Sequence, residues 1–440
     1  MARRKKKPLP LAEFGAEIVD LAHDGRGVAR VDGKVTFIHG GLPGERVRYR
    51  LTRVTRDVDE GTVVAVEQAS PQRVAPKCPH FDICGGCALQ HLAPDAQIAF
   101  KQKQLLDALA RIGGVTPETL APPVTGPVWA YRRRARLGVK HVTKKGGVLV
   151  GFRERDSALL APLTRCDVLD ARVGDQLQAI AALLDTLSIP AQLPQLEIAA
   201  ADHVTLVLRV LAPPSAEDLV ALRTFAEAHD FDLYLQPGNP QDLQALTPIR
   251  PLHYSPDGSA LRLDFGPSDF VQINGALSQK MVRQAVDWLA PTPGGTVLEL
   301  FAGLGNFTAP LAAAGAQVTA VEGEAGLVAR GAANLARNGL SARFLRADLF
   351  QPDPRADWLK PRYDAALLDP PRSGAIEILP QVAACRPQRI VYVSCHPGTL
   401  ARDAGELVRK YGYRLTRVGV LDMFPHTAHV ESMALFERND

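Results

Sequence analysis

Five apolar runs in the second half of the chain limit its fold more than any other feature. TVLEL, QVTAVEG, ARFLRAD, YDAALLDP and RIVYVSC each read as a short buried strand. Between them lie the helical stretches NFTAPLAAAG, AGLVARGAANLARNG, AIEILPQVAAC and GTLARDAGELVRKYG. This alternation, from about residue 266 onward, predicts a doubly wound parallel sheet of the α/β, Rossmann-like type. In such sheets ligands bind in a crevice outside the carboxyl ends of the strands. Those ends carry Glu322, Asp348, Asp369 and Cys395, so three acids and a thiol are expected to face one space.

The first strand runs into a glycine turn, ELFAGLGNF, and then a helix. Gly303 and Gly305 let the backbone approach a ligand closely. The spacing is not G-x-G-x-x-G, which argues against a dinucleotide. About twenty residues on, Glu322 is placed to accept hydrogen bonds from ribose hydroxyls. One short glycine turn followed by one strand-end acid suits a mononucleoside cofactor such as S-adenosylmethionine. A glycine turn before an acid is common in nucleotide-binding folds; the succession of strand-end acids is what sharpens it. In LLDPPRSG, two prolines stiffen the chain beyond Asp369 and leave its carbonyls free to accept bonds.

Cys395 closes the fifth strand in VYVSCHP, with Pro397 barring its continuation. C5 of a pyrimidine is a poor nucleophile, but a thiolate adding to C6 turns C5 into an enolate-like carbon able to attack a methyl sulfonium. The thiol must ionise, and a base must then remove the C5 proton. His396 is a weak candidate to assist, since a sequence neighbour on a strand end points elsewhere. Glu431, in HVESMALFE, is the natural candidate for the base, although by composition alone it reads rather as a surface carboxylate. Cys385, in a helical stretch, keeps a structural reading.

The front of the chain differs. Residues 11–68 alternate apolar and polar residues between the turns at His23-Asp24-Gly25, Val31-Asp32-Gly33 and Gly40-Gly41, which predicts a small β-barrel of oligonucleotide-binding type. Residues 1–56 hold thirteen Lys/Arg against six Asp/Glu, within a chain whose net charge is only +4. The tail Arg3 to Lys7 alone reads as solubilising. Arg26, Arg30, Lys34, Arg46, Arg48, Arg50, Arg53 and Arg56 lie in the strand-rich part, and a basic first domain suggests a nucleic-acid partner.

No apolar run is long enough to cross a bilayer, and the basic start has no apolar core behind it, so a cytoplasmic protein is expected. Residues 93–114 predict an amphipathic helix, 117–127 a loop, and 128–265 a mixed α+β region. CPHFDICGGCALQH places Cys78, Cys84 and Cys87 within ten residues, with Cys166 as a possible fourth ligand. Four thiolates suit zinc or an iron–sulfur cluster, and the five-residue gap favours iron–sulfur.

Together these segments resemble the RNA uracil-C5 methyltransferase family, which forms 5-methyluridine. The resemblance covers nearly the whole chain. It implies a TRAM domain over 1–68, a central RNA-binding domain over 69–265 and a catalytic domain over 266–440. It implies a [4Fe-4S] cluster on Cys78, Cys84, Cys87 and Cys166. DFVQINGAL is similar to the family's F-x-Q-x-N segment and implies Gln272 as a cofactor contact; ELFAGLGNF implies Phe301 and Asn306. Glu322, Asp348 and Asp369 fall at its other cofactor positions, VSCHP implies Cys395 as the nucleophile, and HVE implies Glu431 as the base. His396 stands where many members have Asn, and Ala302 where many have Cys. The layout is most similar to the branch acting on one uridine of 23S ribosomal RNA, with a monomer expected. The other readings are a transfer-RNA uridine methyltransferase, an amino-group methyltransferase using Asp369-Pro370-Pro371, and a non-catalytic iron–sulfur RNA-binding protein.

Overall fold

The computed structural model describes residues 9, 12–239 and 242–438; the basic run Arg3 to Lys7 lies outside them. The chain divides into two units. The first is Met1–Lys101 with Pro425–His429, and the second is Gln102–Phe424 with Val430–Asp440.

In the first unit, six strands form one sheet: β1 (Glu13–Glu17), β2 (Asp20–Leu21), β3 (Gly27–Val31), β4 (Lys34–His39), β5 (Arg46–Val54) and β6 (Val58–Gln68), in the order β1-β5-β6-β4-β3-β2. Asp32 and Gly33 join β3 to β4 as a two-residue hairpin, both at positive φ (50° and 81°), the turn whose twist matches the strands it joins. Alternation in β5 turns Val47 and Tyr49 into a core with Ile18, Ala29 and Ile38 and leaves Arg46, Arg48 and Arg50 outside. Acids are interleaved with those arginines. Glu13 pairs with both Arg48 and Arg50 at 3.3 Å, and Glu60 with Arg53 at 3.3 Å. The basic excess read from the sequence is therefore partly neutralised on the face that carries it.

The cysteine segment follows as a run of turns, packed through Leu89 and Leu92 against Leu21, Leu42 and Phe100. Cys84 is buried, Cys78 and Cys87 are half-buried, and the Gly86 amide donates to the Cys84 Sγ at 3.3 Å. The inserted segment Pro425–His429 is tied to this run, because the His426 carbonyl accepts from the amides of Ala88 and Leu89.

The second unit starts within α1 (Pro94–Ala108), which continues as one π-helical turn, Leu109–Gly113. Its elements are β7 (Thr119–Leu120), β8 (Arg134–Val142), β9 (Gly147–Gly151), α2 (Ala171–Gly174), α3 (Leu177–Thr186), β10 (Gln195–Ala200), β11 (Val204–Arg209), α4 (Ala216–Ala228), β12 (Phe231–Gln236), β13 (Gln244–Ala245), and the hairpin of β14 (Leu252–Tyr254) and β15 (Leu263–Phe265). Strands β8 to β13, leaving aside β7, build a mixed six-stranded sheet in the order β13-β12-β11-β10-β8-β9.

The expected strand–helix alternation then appears. Helix α5 (Gly275–Leu289) precedes β16 (Thr296–Leu300), α6 (Thr308–Ala313), β17 (Gln317–Glu322), α7 (Ala325–Arg337), β18 (Arg343–Arg346), β19 (Ala365–Leu368), α8 (Leu379–Ala384), β20 (Arg389–Ser394), α9 (Pro397–Tyr411), β21 (Tyr413–Leu421) and β22 (Glu431–Arg438). The sheet order is β18-β17-β16-β19-β20-β22-β21-β7. Strands β16 to β20 are parallel, whereas β22 lies antiparallel to both β20 and β21. The order reverses between β16 and β19, the switch point at which such sheets open a crevice. Successive residues of β20 pack on opposite faces, Ile390 and Tyr392 into one core, Val391 and Val393 into the other.

Two readings change. Residues 117–127, expected as a loop, contain β7, which pairs in parallel with β21. Two residues cannot show a period, and this pairing is supplied by a distant strand. Pro397 does more than end β20. It is the first residue of α9, where its missing N–H costs nothing.

Glu45 gives the first unit a checkable anchor. Its buried side chain accepts from the amides of Leu42 and Ser70 and from Arg73 at 2.6 Å. Burial works to raise its pKa, but the bonds from Arg73, Leu42 and Ser70 bring it below the ordinary value. A depressed carboxylate adds stability above its unfolded pKa and loses it as pH falls through the folded one. Glu45→Ala is expected to destabilise this unit by about 3 kcal/mol near neutral pH. Urea unfolding from pH 7 down to pH 3 checks this, with the gap to the parent narrowing in acid.

Candidate active site

One cavity of about 710 Å³ lies at the carboxyl ends of β16 to β20. Its lining includes Gln272, Phe301, Asn306, Glu322, Asp348, Asp369, Cys395 and Glu431, so every expected cofactor and catalytic residue is gathered in one space.

One end of the cavity is built by the glycine turn after β16. Phe301, Gly303 and Gly305 all take positive φ (63°, 54° and 90°). For Phe301 that conformation costs on the order of 1–3 kcal/mol, so the neighbouring contacts must hold it. Glu322, ending β17, does part of this. Its Oε2 accepts from the Gly303 amide at 3.1 Å, and its Oε1 from the amides of Gly323 and Glu324 at 2.7 and 3.0 Å. Asp348 folds its own loop, accepting from the amides of Phe350 and Gln351. Phe350 stands 5.9 Å from the Phe301 ring, centroid to centroid. The Asn306 Oδ1 accepts from the Tyr254 hydroxyl at 3.2 Å. The Arg133 Nε donates to the Gln272 carbonyl at 2.7 Å, and its guanidinium lies 4.6 Å over the Tyr254 ring. A left-handed loop under a strand-end acid, with a flat aromatic flank, fits a nucleoside-bearing cofactor.

The other end holds Cys395 and Glu431. Cys395 follows β20, and His396 caps α9, its Nδ1 accepting from the Thr399 amide at 3.2 Å. That bond engages the histidine ring with the helix. Glu431 opens β22. The last registered pair of the two strands is Ser394 with Ser432, so Glu431 sits one step on, beside Cys395. Burial, then the charges of Glu431 and Asp369, push the Cys395 thiol up to about 11, while Arg372 pulls it down. Burial lifts Asp369 to about 7. Beneath the turn, burial lifts Glu299 to about 8, opposed by the side chain and amide of Thr308 and aided by the charges of Asp369 and Glu322.

Tyr254, Phe270, Arg346, Phe350 and Arg372 also line the cavity and were not singled out in the sequence. Arg372 follows the Asp-Pro-Pro turn directly and could have been found there; Tyr254 belongs to a three-residue strand with no periodic signal. Cys385 caps α8, is buried, and donates to the Leu359 carbonyl at 3.3 Å, in keeping with a structural reading. Of the four cysteines expected to bind a cluster, Cys78, Cys84 and Cys87 belong to the first unit and buried Cys166 to the second.

The comparisons with known proteins agree with this geometry. A family model described as tRNA (Uracil-5-)-methyltransferase matches residues 257–346 and 358–439, and a TRAM domain model matches residues 13–64. The chain is 52% identical over 442 residues to the 23S rRNA (uracil(1939)-C(5))-methyltransferase RlmD of Alkalilimnicola ehrlichii, covering 100% of this chain and 99% of that protein. It is 49% identical over 443 residues to the RlmD of Methylococcus capsulatus, with 99% of each covered. Among solved structures, the Pyrococcus abyssi tRNA (uracil-54, C5)-methyltransferase in complex with S-adenosyl-L-homocysteine superimposes with a TM-score of 0.74 at 23% identity, over 96% of this chain and 99% of that one. That likeness is one of fold. The chain belongs to the RNA uracil-C5 methyltransferases, an S-adenosylmethionine-dependent family, and is similar along its whole length to RlmD-type members.

Proposed function

We propose that this protein methylates C5 of the uridine of 23S ribosomal RNA that corresponds to position 1939 in its relatives, with Cys395 as nucleophile and Glu431 as base. The observation that carries the mechanism is the meeting of Cys395 and Glu431 on adjacent strand ends in the cavity that also holds the glycine turn, Glu322 and Asp348. The ribosomal substrate is supported by about half identity over the full length of RlmD relatives. The structure related to a transfer-RNA enzyme stands at 23% identity and speaks for fold alone.

The cofactor, when bound, would supply an electrophilic methyl group from its sulfonium and leave as the neutral thioether. Gln272, Phe301, Asn306, Glu322, Asp348 and Asp369 would hold it. The target uridine leaves its stack to reach the thiol. The Cys395 thiolate adds to C6, and the C5–C6 electron pair moves to C5 and the C4 carbonyl. C5 takes the methyl group. Glu431 removes the C5 proton, the C5–C6 double bond re-forms and the S–C6 bond breaks. An amino-group methyltransferase would need neither the thiol nor its neighbouring base.

The domain roles follow as TRAM domain over 1–68, central domain over 69–265 and catalytic domain over 266–440. On this reading the protein works as a monomer in the cytoplasm, where its substrate is. Cys78, Cys84, Cys87 and Cys166 hold a [4Fe-4S] cluster rather than zinc. Supporting this are the thiolate donor set and the Gly86 amide directed at the Cys84 sulfur. Methyl transfer moves no net electrons, so the cluster's role is structural or RNA-positioning. Purified protein is expected to contain iron with visible absorbance and to lose both in Cys84→Ser; zinc without iron would overturn the assignment.

Two further outcomes test the catalytic pair. Cys395→Ala is expected to abolish 5-methyluridine formation, whereas Glu431→Gln lowers turnover by roughly 10²–10⁴-fold and accumulates a denaturation-resistant RNA adduct; mass spectrometry of the RNA and gel shift read these. Because the thiol is pushed up to about 11, alkylation of Cys395 in the protein without ligands should keep rising with pH beyond 9. A plateau near the ordinary thiol value of roughly 8.5 would contradict that environment.

A further inference from the structure

One buried carboxylate joins the nucleophile strand to the Asp-Pro-Pro loop. Asp403, in α9, is fully buried. Its Oδ2 accepts from the Ala375 amide and from the Tyr392 hydroxyl, both at 2.7 Å. Its Oδ1 accepts from the Arg402 Nε at 2.8 Å, and the Arg402 Nη2 donates to the Ser373 carbonyl at 2.8 Å. Tyr392 lies on β20, three residues before Cys395. Ser373 and Ala375 close the loop that starts at Asp369. Asp403 itself belongs to the helix capped by His396. Three elements carrying one side of the cavity therefore converge on a single side chain.

The fit leaves no slack. Gly374, between the two anchored loop residues, has φ +82°, and a Cβ there would stand 2.6 Å from the Arg402 Nη2 and 2.7 Å from the Asp403 Oδ2. None of Asp403, Tyr392 and Arg402 lines the cavity, so none is in position to touch substrate there. Stability alone does not explain the arrangement, since well-packed hydrocarbon is often as stabilising as a buried ion pair. A carboxylate adds direction: it accepts from several donors along set lines and so holds loop and strand in one relative placement.

We propose that Asp403 is a positioning residue for methyl transfer, setting the gap between Cys395 and the wall made by Asp369 and Arg372 through its bonds to Tyr392, Ala375 and Arg402. This rests on Cys395 being the nucleophile. The flipped uracil enters that gap, and attack at C6 tolerates little displacement, since an error of about 1 Å in alignment can cost 10²-fold in rate. The cofactor end, at Glu322 and Asp348, is carried by β17 and the segment after β18, which make no bond to Asp403. Of the residues assigned to the cofactor, only Asp369 shares the clamped loop, so loss of the clamp should slow chemistry far more than it weakens cofactor binding.

The test uses the full chain with Asp403→Asn and Tyr392→Phe. Affinity for S-adenosylhomocysteine is measured by calorimetry, and methyl transfer to a 23S RNA fragment in a single turnover. Both variants are expected to lose little of the parent affinity, since the other cofactor residues lie off the clamped loop. Asp403→Asn should transfer methyl about 10²-fold more slowly, and Tyr392→Phe more slowly than the parent but less so. If Asp403→Asn does not fold, Tyr392→Phe decides, because it removes one hydroxyl and keeps the ring. Parent rates in the folded variants, or affinity falling in step with rate, overturn the proposal. Cys395→Ala is run alongside. Its remaining active would sink the nucleophile assignment, whereas an inactive Cys395→Ala beside clamp variants at parent rate would sink the clamp alone.

Discussion

The antiparallel seating of β22 against β20 is the constraint on which the active site depends. Strands β16 to β20 bring their last residues to the crevice because they are parallel. A further parallel strand would bring its own last residue there too. Because β22 runs the other way, it offers its first residue, Glu431, beside the thiol that ends β20. A slip of one residue in that pairing would turn Glu431 to the opposite face of the sheet. Alternate residues of β22 fill two different cores, Ala434 and Phe436 one and Met433 and Leu435 the other, so a slip would misfit both close-packed faces.

The electrostatics of the cavity follow from the same convergence. Strand ends bring Glu322, Asp348, Asp369 and Glu431 into one cavity with the thiol, and Arg346 and Arg372 are the cations in its lining. Burial and two of these acids hold the thiol protonated, and burial raises Asp369 to about 7. On the proposed mechanism the thiol must ionise against these influences. Arg372 is the protein's own contribution in that direction.

Much of this was legible in the sequence because strand ends are. Short β-branched runs stopping on Glu322, Asp348, Asp369 and Cys395 announce both the sheet and its crevice, and all four reach the cavity. What escaped has local causes. Helix α5 overlaps no strand-end motif, and the segment before β16 was read for its Gln272 motif alone. The hairpin of β14 and β15 is three residues to a strand, too short for a period to show, yet it supplies Tyr254. The arginines of β5 were read as part of a strand-rich basic segment, but their pairing with Glu13 and Glu60 depends on which strands lie beside them, and that order is not written in alternation. Asp403 looked like any helical acid; only the folded chain shows it meeting Tyr392 and Ala375.

The most direct test of the central claim is to react the protein and S-adenosylmethionine with a 23S RNA fragment carrying 5-fluorouridine at the target, then digest and map the cross-linked peptide. Fluorine at C5 cannot leave as a proton does, so the covalent intermediate is trapped. The account predicts a methylated nucleotide joined through sulfur to the peptide containing Cys395. Attachment at any other residue, or methylation of unmodified RNA with no trapped adduct on the fluorinated substrate, would contradict it.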